Sequence, residues 1–279
     1  MATIIRGKEV AEQVLSQVKA DVAALLARGV TPCLAVILVG DDPASRIYVG
    51  KKKEKCAELG MRSLEFTLPA ETQEEELLAL IAKLNADESV HGILCQLPLP
   101  KHLNEQTIVR AVAPKKDVDG FPCRISADAR RDLMPCTPAG VMEMLAYANV
   151  SIAGKHCVVV GRSNIVGKPM ASLLLQADGT VTICHSKTRD LASITRQADI
   201  LVAAVGKPHF ITADMVKEGA VVIDVGVNRG ADRKVIGDVD FEAVEKKASM
   251  ITPVPGGVGL MTIAMLMKNT VRAAAQQNP

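Results

Sequence analysis

The chain has little aromatic character. Across 279 residues there are two Tyr, four Phe and no Trp. Base-stacking surfaces of the kind that hold single-stranded nucleic acid are therefore not expected. Charge of one sign is also lacking, since 33 Lys and Arg stand against 31 Asp and Glu, spread along the sequence. That excludes a basic nucleic-acid footprint. No apolar run is long enough to span a bilayer. The N-terminal residues show neither an apolar signal core nor transit-peptide character. The seven cysteines (Cys33, Cys56, Cys95, Cys123, Cys136, Cys157 and Cys184) form no C-x-x-C pair. No zinc site is expected from them, and their odd number argues against a disulfide framework. Cys33 and Cys157 lie in apolar runs and read as small buried hydrophobes. The expected setting is a reducing cytoplasm, with no membrane, nucleic acid or metal involved.

What is present is an alternation of strand and helix. Val10, Val14, Val18, Val22 and Leu25 recur at helical spacing, which predicts a helix from about Lys8 to Ala27. Cys33 to Val39 is continuously apolar, as strands covered on both faces are. Asp42-Pro43 then caps and opens a helix that runs to Leu59, with Gly60 after it. Strands at 62–68 and 92–96 alternate with helices at 72–84 and 105–111. Residues 114–135 lack periodicity and read as a crossover. A helix from Thr137 to Ala148 leads to a second α/β run beginning at His156. It has strands at 157–160, 180–184, 200–205 and 220–225, helices at 169–176 and 190–197, and a short helix after Thr212. A last helix covers 261–275. This pattern predicts an α/β chain with parallel sheets.

The segment from His156 to Pro169 reads as strand, turn and helix. Gly161 permits the tight turn, and Gly167 opens the helix and allows close backbone approach. Free amides at that helix start suit a pyrophosphate. The spacing G-x-x-x-x-x-G departs from G-x-G-x-x-G, so a purely structural turn is the alternative. The next strand ends Cys184-His185-Ser186-Lys187, without the acid that NAD-specific sites place there. Arg162, Ser163 and Ser186, with Lys187 close by, suit a 2′-phosphate, so the expected cofactor is NADP. Val227 is expected to join Gly161, Arg162, Ser163 and Ser186 in holding it. His185 is assigned no chemistry.

In the N-terminal half, Tyr48 and Lys52 lie four apart on one helix face. Lys51, Lys53 and Lys55 surround them, as in a solvated basic face. Gln96 follows a buried strand, and Asp117 and Asp119 lie in the crossover. Strand ends of this kind form the ligand crevice of open α/β sheets.

Five motifs then stand in order: Tyr48-Val-Gly-Lys-Lys52, Gln96-Leu-Pro-Leu-Pro, Lys116-Asp-Val-Asp119-Gly, Gly161-Arg-Ser-x-x-Val-Gly-x-Pro, and Pro253-Val-Pro-Gly-Gly-Val-Gly. Together they resemble the bifunctional methylenetetrahydrofolate dehydrogenase/methenyltetrahydrofolate cyclohydrolase family, the FolD proteins. The resemblance implies two α/β domains with a cleft between them, the second Rossmann-like, and a last helix returning to the first. The boundaries expected are 1–136 with 258–279 for the folate domain and 137–257 for the NADP domain. It also implies a homodimer acting on tetrahydrofolate derivatives in one-carbon metabolism. Catalysis would fall to Lys52, Tyr48, Gln96 and Asp119, with Lys51, Lys53 and the cationic substrate helping to lower the Lys52 pKa. Substrate would be held by Tyr48, Gln96, Asp119, Pro255, Gly256 and Gly257. Leu260 stands where the family usually has Pro, and Cys95 where an aliphatic residue is usual. The rival readings are an amino-acid or shikimate-type dehydrogenase, a monofunctional methylenetetrahydrofolate dehydrogenase, and a non-catalytic dinucleotide sensor.

Overall fold

The computed structural model describes residues 1–120, 133–229 and 234–279. Cys123 and the middle of the expected crossover lie outside them. In chain order the elements are β1 (Thr3–Ile4), α1 (Gly7–Ala27), β2 (Cys33–Val39), α2 (Pro43–Glu58), β3 (Arg62–Leu68), α3 (Glu74–Ala86), β4 (Gly92–Cys95) and α4 (Glu105–Ala111). There follow α5 (Cys136–Tyr147), β5 (His156–Val160), α6 (Gly167–Gln176), β6 (Thr180–Cys184), α7 (Leu191–Thr195), β7 (Ile200–Ala203) and β8 (Val221–Asp224). The last are β9 (Asn228–Arg229), β10 (Val235–Ile236), α8 (Phe241–Val244), β11 (Met250–Ile251) and α9 (Met261–Gln277). The short helix expected after Thr212 is a single 3-10 turn, Ala213–Met215.

The chain divides into two compact units, one of residues 13–136 and 263–279, the other of residues 1–12 and 137–262. The first holds a parallel three-stranded sheet in the order β3-β2-β4. All seven residues of β2 are buried, as its unbroken apolar sequence requires. Asp42 caps α2 by accepting from the Ser45 amide at 2.7 Å, and Pro43 begins the helix where a missing N–H costs nothing. The later turns of α9 close this unit: the Asn269 side chain donates to the carbonyls of Val118 and Met134, and Gln277 donates to that of His91. The last helix thus packs on the N-terminal α/β unit.

The second unit is a six-stranded sheet in the order β1-β11-β8-β7-β5-β6, with every neighbouring pair parallel. From β5 the chain passes outward to β6, then returns to the other side of β5 as β7. The reversal makes a switch point at the C-terminal ends of β5 and β7, where doubly wound sheets take their ligands. The N-terminal strand β1 pairs with β11 here, so residues 1–12 fall in this unit, whereas the sequence division had assigned them to the other. The six described cysteines are free and buried, which is how Cys33 and Cys157 were read.

Candidate functional site

Lys52 sits on the buried stripe of α2. Ser45, Val49, Lys52 and Cys56 follow one another at helical spacing, and all four are buried. The amine is carried under the end of β4 next door, where Gln96 follows the strand. Lys52 Nζ donates to Gln96 Oε1 at 2.7 Å. The other end of the amide is fixed too, since Gln96 Nε2 donates to the Leu97 carbonyl at 2.6 Å. The amide therefore presents its oxygen, not its nitrogen, to the lysine. Tyr48, one turn earlier, is 50 % exposed and opens to solvent, whereas Lys52 is buried and Gln96 half-buried.

Asp119 reaches the same place through the segment after α4. Asp117 bridges to Ile93 of β4, and its Oδ1 accepts from the Gly120 amide at 3.0 Å. This turn needs glycine, because Gly120 has φ +78° and a Cβ there would lie 2.5 Å from the Pro135 nitrogen. Gly92 makes room on the strand side, where a Cβ would meet Val118 at 2.7 Å. Cys136, the first residue of α5, directs its thiol to the Val118 carbonyl at 3.3 Å and lies near enough to the Asp119 carboxylate for each to shift the other's pKa.

The electrostatics of this cluster follow from burial. Desolvation lowers the Lys52 pKa, and the nearby Asp119 charge partly opposes it. Burial raises the Asp119 pKa, opposed by the Lys52 charge and by the neighbouring Cys136 thiol. Burial lifts the Cys136 thiol well above its usual range, so it stays protonated as a donor. Lys51 and Lys53, expected to depress Lys52, do not contribute: Lys53 pairs with Glu65 at 3.6 Å, and Lys51 is exposed. Cys136 was missed in the sequence because a lone Cys before Thr-Pro has no spacing signal.

The second set of expected residues lies in the other unit. Gly161 has φ +131°, and a Cβ there would stand 2.1 Å from the Ala204 carbonyl oxygen. A Cβ on Gly167 would meet the Gly161 oxygen at 2.2 Å. Both glycines are required by the folding of the turn on itself and on the end of β7. Gly161 N–H donates to the Cys184 carbonyl at 2.9 Å, which joins the Arg162–Ser163 turn to the Ser186–Lys187 segment. Arg162, Ser163, Ser186 and Lys187 are all exposed. The amides at the start of α6 are not free, contrary to expectation. Ser163 Oγ accepts from Val166 and Gly167 at 3.1 and 3.2 Å. The Ser163 O–H proton remains for an anion, and an arginine with two hydroxyls suits a phosphate group. His185 Nδ1 accepts from the Lys187 amide at 3.2 Å, a turn-forming role in keeping with its exclusion from the chemistry.

Val227 is 62 % exposed in the segment after β8. Pro255, Gly256 and Gly257 form a loop of this same unit, tied to the start of α1 by a bond from the Gly7 amide to the Gly256 carbonyl at 2.8 Å. They are not in the unit of Lys52, Gln96 and Asp119. Leu260 ends a 3-10 turn, and its amide donates to the Gly257 carbonyl at 3.2 Å. A proline there could not make this bond. Among the described residues, no three His, Cys, Asp or Glu side chains are grouped to hold a metal ion, and no helix is long and apolar enough to cross a membrane.

Residues 5–119 match the model of the tetrahydrofolate dehydrogenase/cyclohydrolase catalytic domain, and residues 135–278 match that of the same family's NAD(P)-binding domain. The chain belongs to the tetrahydrofolate dehydrogenase/cyclohydrolase family. A relative from Agathobacter rectalis, "Bifunctional protein FolD", is 56 % identical over 276 residues, covering 98 % of this chain and 99 % of the relative. The crystal structure of the bifunctional FolD enzyme from Campylobacter jejuni superposes with a TM-score of 0.95 at 48 % identity, covering 99 % of both chains. The enzyme of Trypanosoma brucei, solved with NADP cofactor and inhibitor, gives a TM-score of 0.92 at 38 % identity, over 99 % of this chain and 98 % of that one. The rival amino-acid and shikimate-type readings are not favoured by this membership, nor is a non-catalytic sensor.

Proposed function

We propose that the chain oxidises 5,10-methylenetetrahydrofolate with NADP and then hydrolyses the methenyl product to 10-formyltetrahydrofolate. The observation that carries this reading is the buried lysine on α2, its amine bonded to Gln96 and its pKa lowered by burial. Residues 13–136 with 263–279 form the folate unit in this reading, and residues 137–262 the dinucleotide unit. NADP, held at the Gly161 turn by Arg162, Ser163 and Ser186 with Val227 beside it, supplies the hydride acceptor. The first step asks the protein mainly to align two carbons, and positioning of that kind supplies several kcal/mol.

The second step needs proton transfer as water attacks the methenyl carbon and the ring opens. A neutral Lys52 accepts the proton from the attacking water and delivers it to the departing ring nitrogen. Gln96 holds the amine in place through its oxygen. Tyr48 packs its exposed ring on the folate. Asp119 accepts hydrogen bonds from the amino edge of the pterin, and Pro255, Gly256 and Gly257 contribute backbone contacts to the substrate. The intact Lys52–Gln96 pair favours the bifunctional enzyme over a monofunctional dehydrogenase.

We further propose a homodimer located in the cytoplasm. The edge strand β6 and its neighbour α6 leave Ile183 and Leu175 exposed, an apolar edge suited to a second copy. Free buried thiols suit a reducing compartment.

The test is an absorbance assay with methylenetetrahydrofolate and either NADP or NAD, following reduced cofactor and methenyl product together. NADP-dependent turnover with transient methenyl product is expected. A clear preference for NAD overturns the roles given to Arg162 and Ser186, and no turnover with either cofactor overturns the reading as a whole.

A further inference from the structure

Two buried carboxylates in the dinucleotide unit have no part in the chemistry above. Asp238, fully buried, follows β10. Its Oδ2 accepts from the amides of Val205 at 2.5 Å and Gly206 at 2.9 Å. Its Oδ1 accepts from the Lys207 amide and from Asn228 Nδ2, both at 2.9 Å. Four donors occupy the acceptor directions of a carboxylate. Asp224, the last residue of β8, holds Asp238 in turn: it accepts from the amides of Asp238 at 3.0 Å, Val239 at 2.9 Å and Gly226 at 2.9 Å. Glycines make the interlock possible. A Cβ on Gly226 would stand 2.3 Å from Asp238 Cγ, and one on Gly237 2.0 Å from Asp224 Oδ2.

The groups that Asp238 gathers line the switch point of the sheet. Val205, Gly206 and Lys207 follow β7 directly, and the Ala204 carbonyl before them is the surface on which Gly161 rests. Asn228 adjoins the exposed Val227 after β8. A single carboxylate thus links the segments that follow two neighbouring strands, one of them continuous with the Ala204 on which Gly161 rests. Surface loops of this kind are ordinarily mobile, and buried charge-assisted bonds fix their backbone.

We propose that Asp238 is the positioning residue of the dinucleotide site, its carboxylate holding the Val205–Lys207 amides and Asn228 in the shape the cofactor requires. The proposal rests on the reading of the Gly161 turn as the cofactor site. An asparagine at 238 keeps the shape but turns an NH2 toward two of the four donors, leaving them unsatisfied.

The experiment compares wild type, Asp238→Asn and Asn228→Ala in the full chain. The KM and kcat for NADP in methylenetetrahydrofolate oxidation are measured beside hydrolysis of supplied methenyltetrahydrofolate. Asp238→Asn raises the NADP KM by about tenfold or more, while methenyl hydrolysis stays within about twofold. Asn228→Ala shifts the KM in the same direction by less. An unchanged NADP KM in folded Asp238→Asn overturns the proposal. So does a parallel loss of both activities at constant KM, which marks a merely structural role. Where Asp238→Asn does not fold, Asn228→Ala decides by the same KM. A wild type that fails to turn over NADP refutes the functional reading itself, whereas the proposal is judged on the ratio of variant to wild type.

Discussion

At the scale of single residues, the chemistry turns on how badly Lys52 is solvated. A free lysine titrates near 10.4 and is almost wholly protonated at neutral pH. Burial lowers the Lys52 pKa, and Asp119 holds it partly up. The base form gains as pH rises, so methenyl hydrolysis should increase through an apparent midpoint below that of free lysine and level off above it. Asp119→Asn removes the charge that favours the ammonium, and the midpoint should move to lower pH. The two groups titrate as a coupled pair, so the profile reports macroscopic values. A pH–rate profile of both proteins checks this, and a midpoint that moves upward in the variant contradicts it. The burial of Lys52 was not legible in the sequence, where it stands within Lys51-Lys52-Lys53. Only the helix register, with Val49 and Cys56 buried on either side of it, separates it from its exposed neighbours.

At the scale of elements, the glycines of the dinucleotide turn differ from those of ordinary caps. Gly29 and Gly161 both have positive φ, at +77° and +131°. Gly29 has nothing within 4 Å of an added Cβ, whereas Gly161 has the Ala204 oxygen at 2.1 Å. Gly29→Ala should cost only the backbone strain, of order 1 kcal/mol. Gly161→Ala must also push β5 and β7 apart, so it should lower Tm by several degrees more and weaken NADP binding. Thermal melts with a cofactor titration check this; equal shifts for the two variants contradict it. Long elements were legible from the sequence because their apolar residues repeat. The seven-residue run of β2 and the Asp42-Pro43 start of α2 are examples. The two-residue strands β1 and β11 were not, because neither has a pattern of its own: β1 forms by pairing with β11, and β11 by lying between β1 and β8. The Ser163 cap was hidden for a related reason: which amides a hydroxyl satisfies depends on the turn's path, not on its spacing.

At the scale of the whole molecule, the proposed oxidation draws on residues of both units. Hydride transfer requires the Gly161 turn, the strand ends that Asp238 gathers, and a substrate correctly placed. Hydrolysis adds one demand, a neutral amine at Lys52. The Gln96, Gly161 and Pro253 motifs were legible because they follow strands, where the fold brings distant segments together, as Lys52 of α2 and Asp119 come to Gln96 here. The Asp224–Asp238 interlock was not legible, since nothing in Asp-Val-Gly or Gly-Asp-Val separates a buried carboxylate from a solvated one. The most direct measurement is on Lys52→Met, which keeps the length of the side chain but not its amine. Supplied methenyltetrahydrofolate should be hydrolysed at least about a hundredfold more slowly, while NADP-dependent oxidation of methylenetetrahydrofolate persists and methenyl product accumulates. Methenyl hydrolysis at the wild-type rate in that variant would contradict the account.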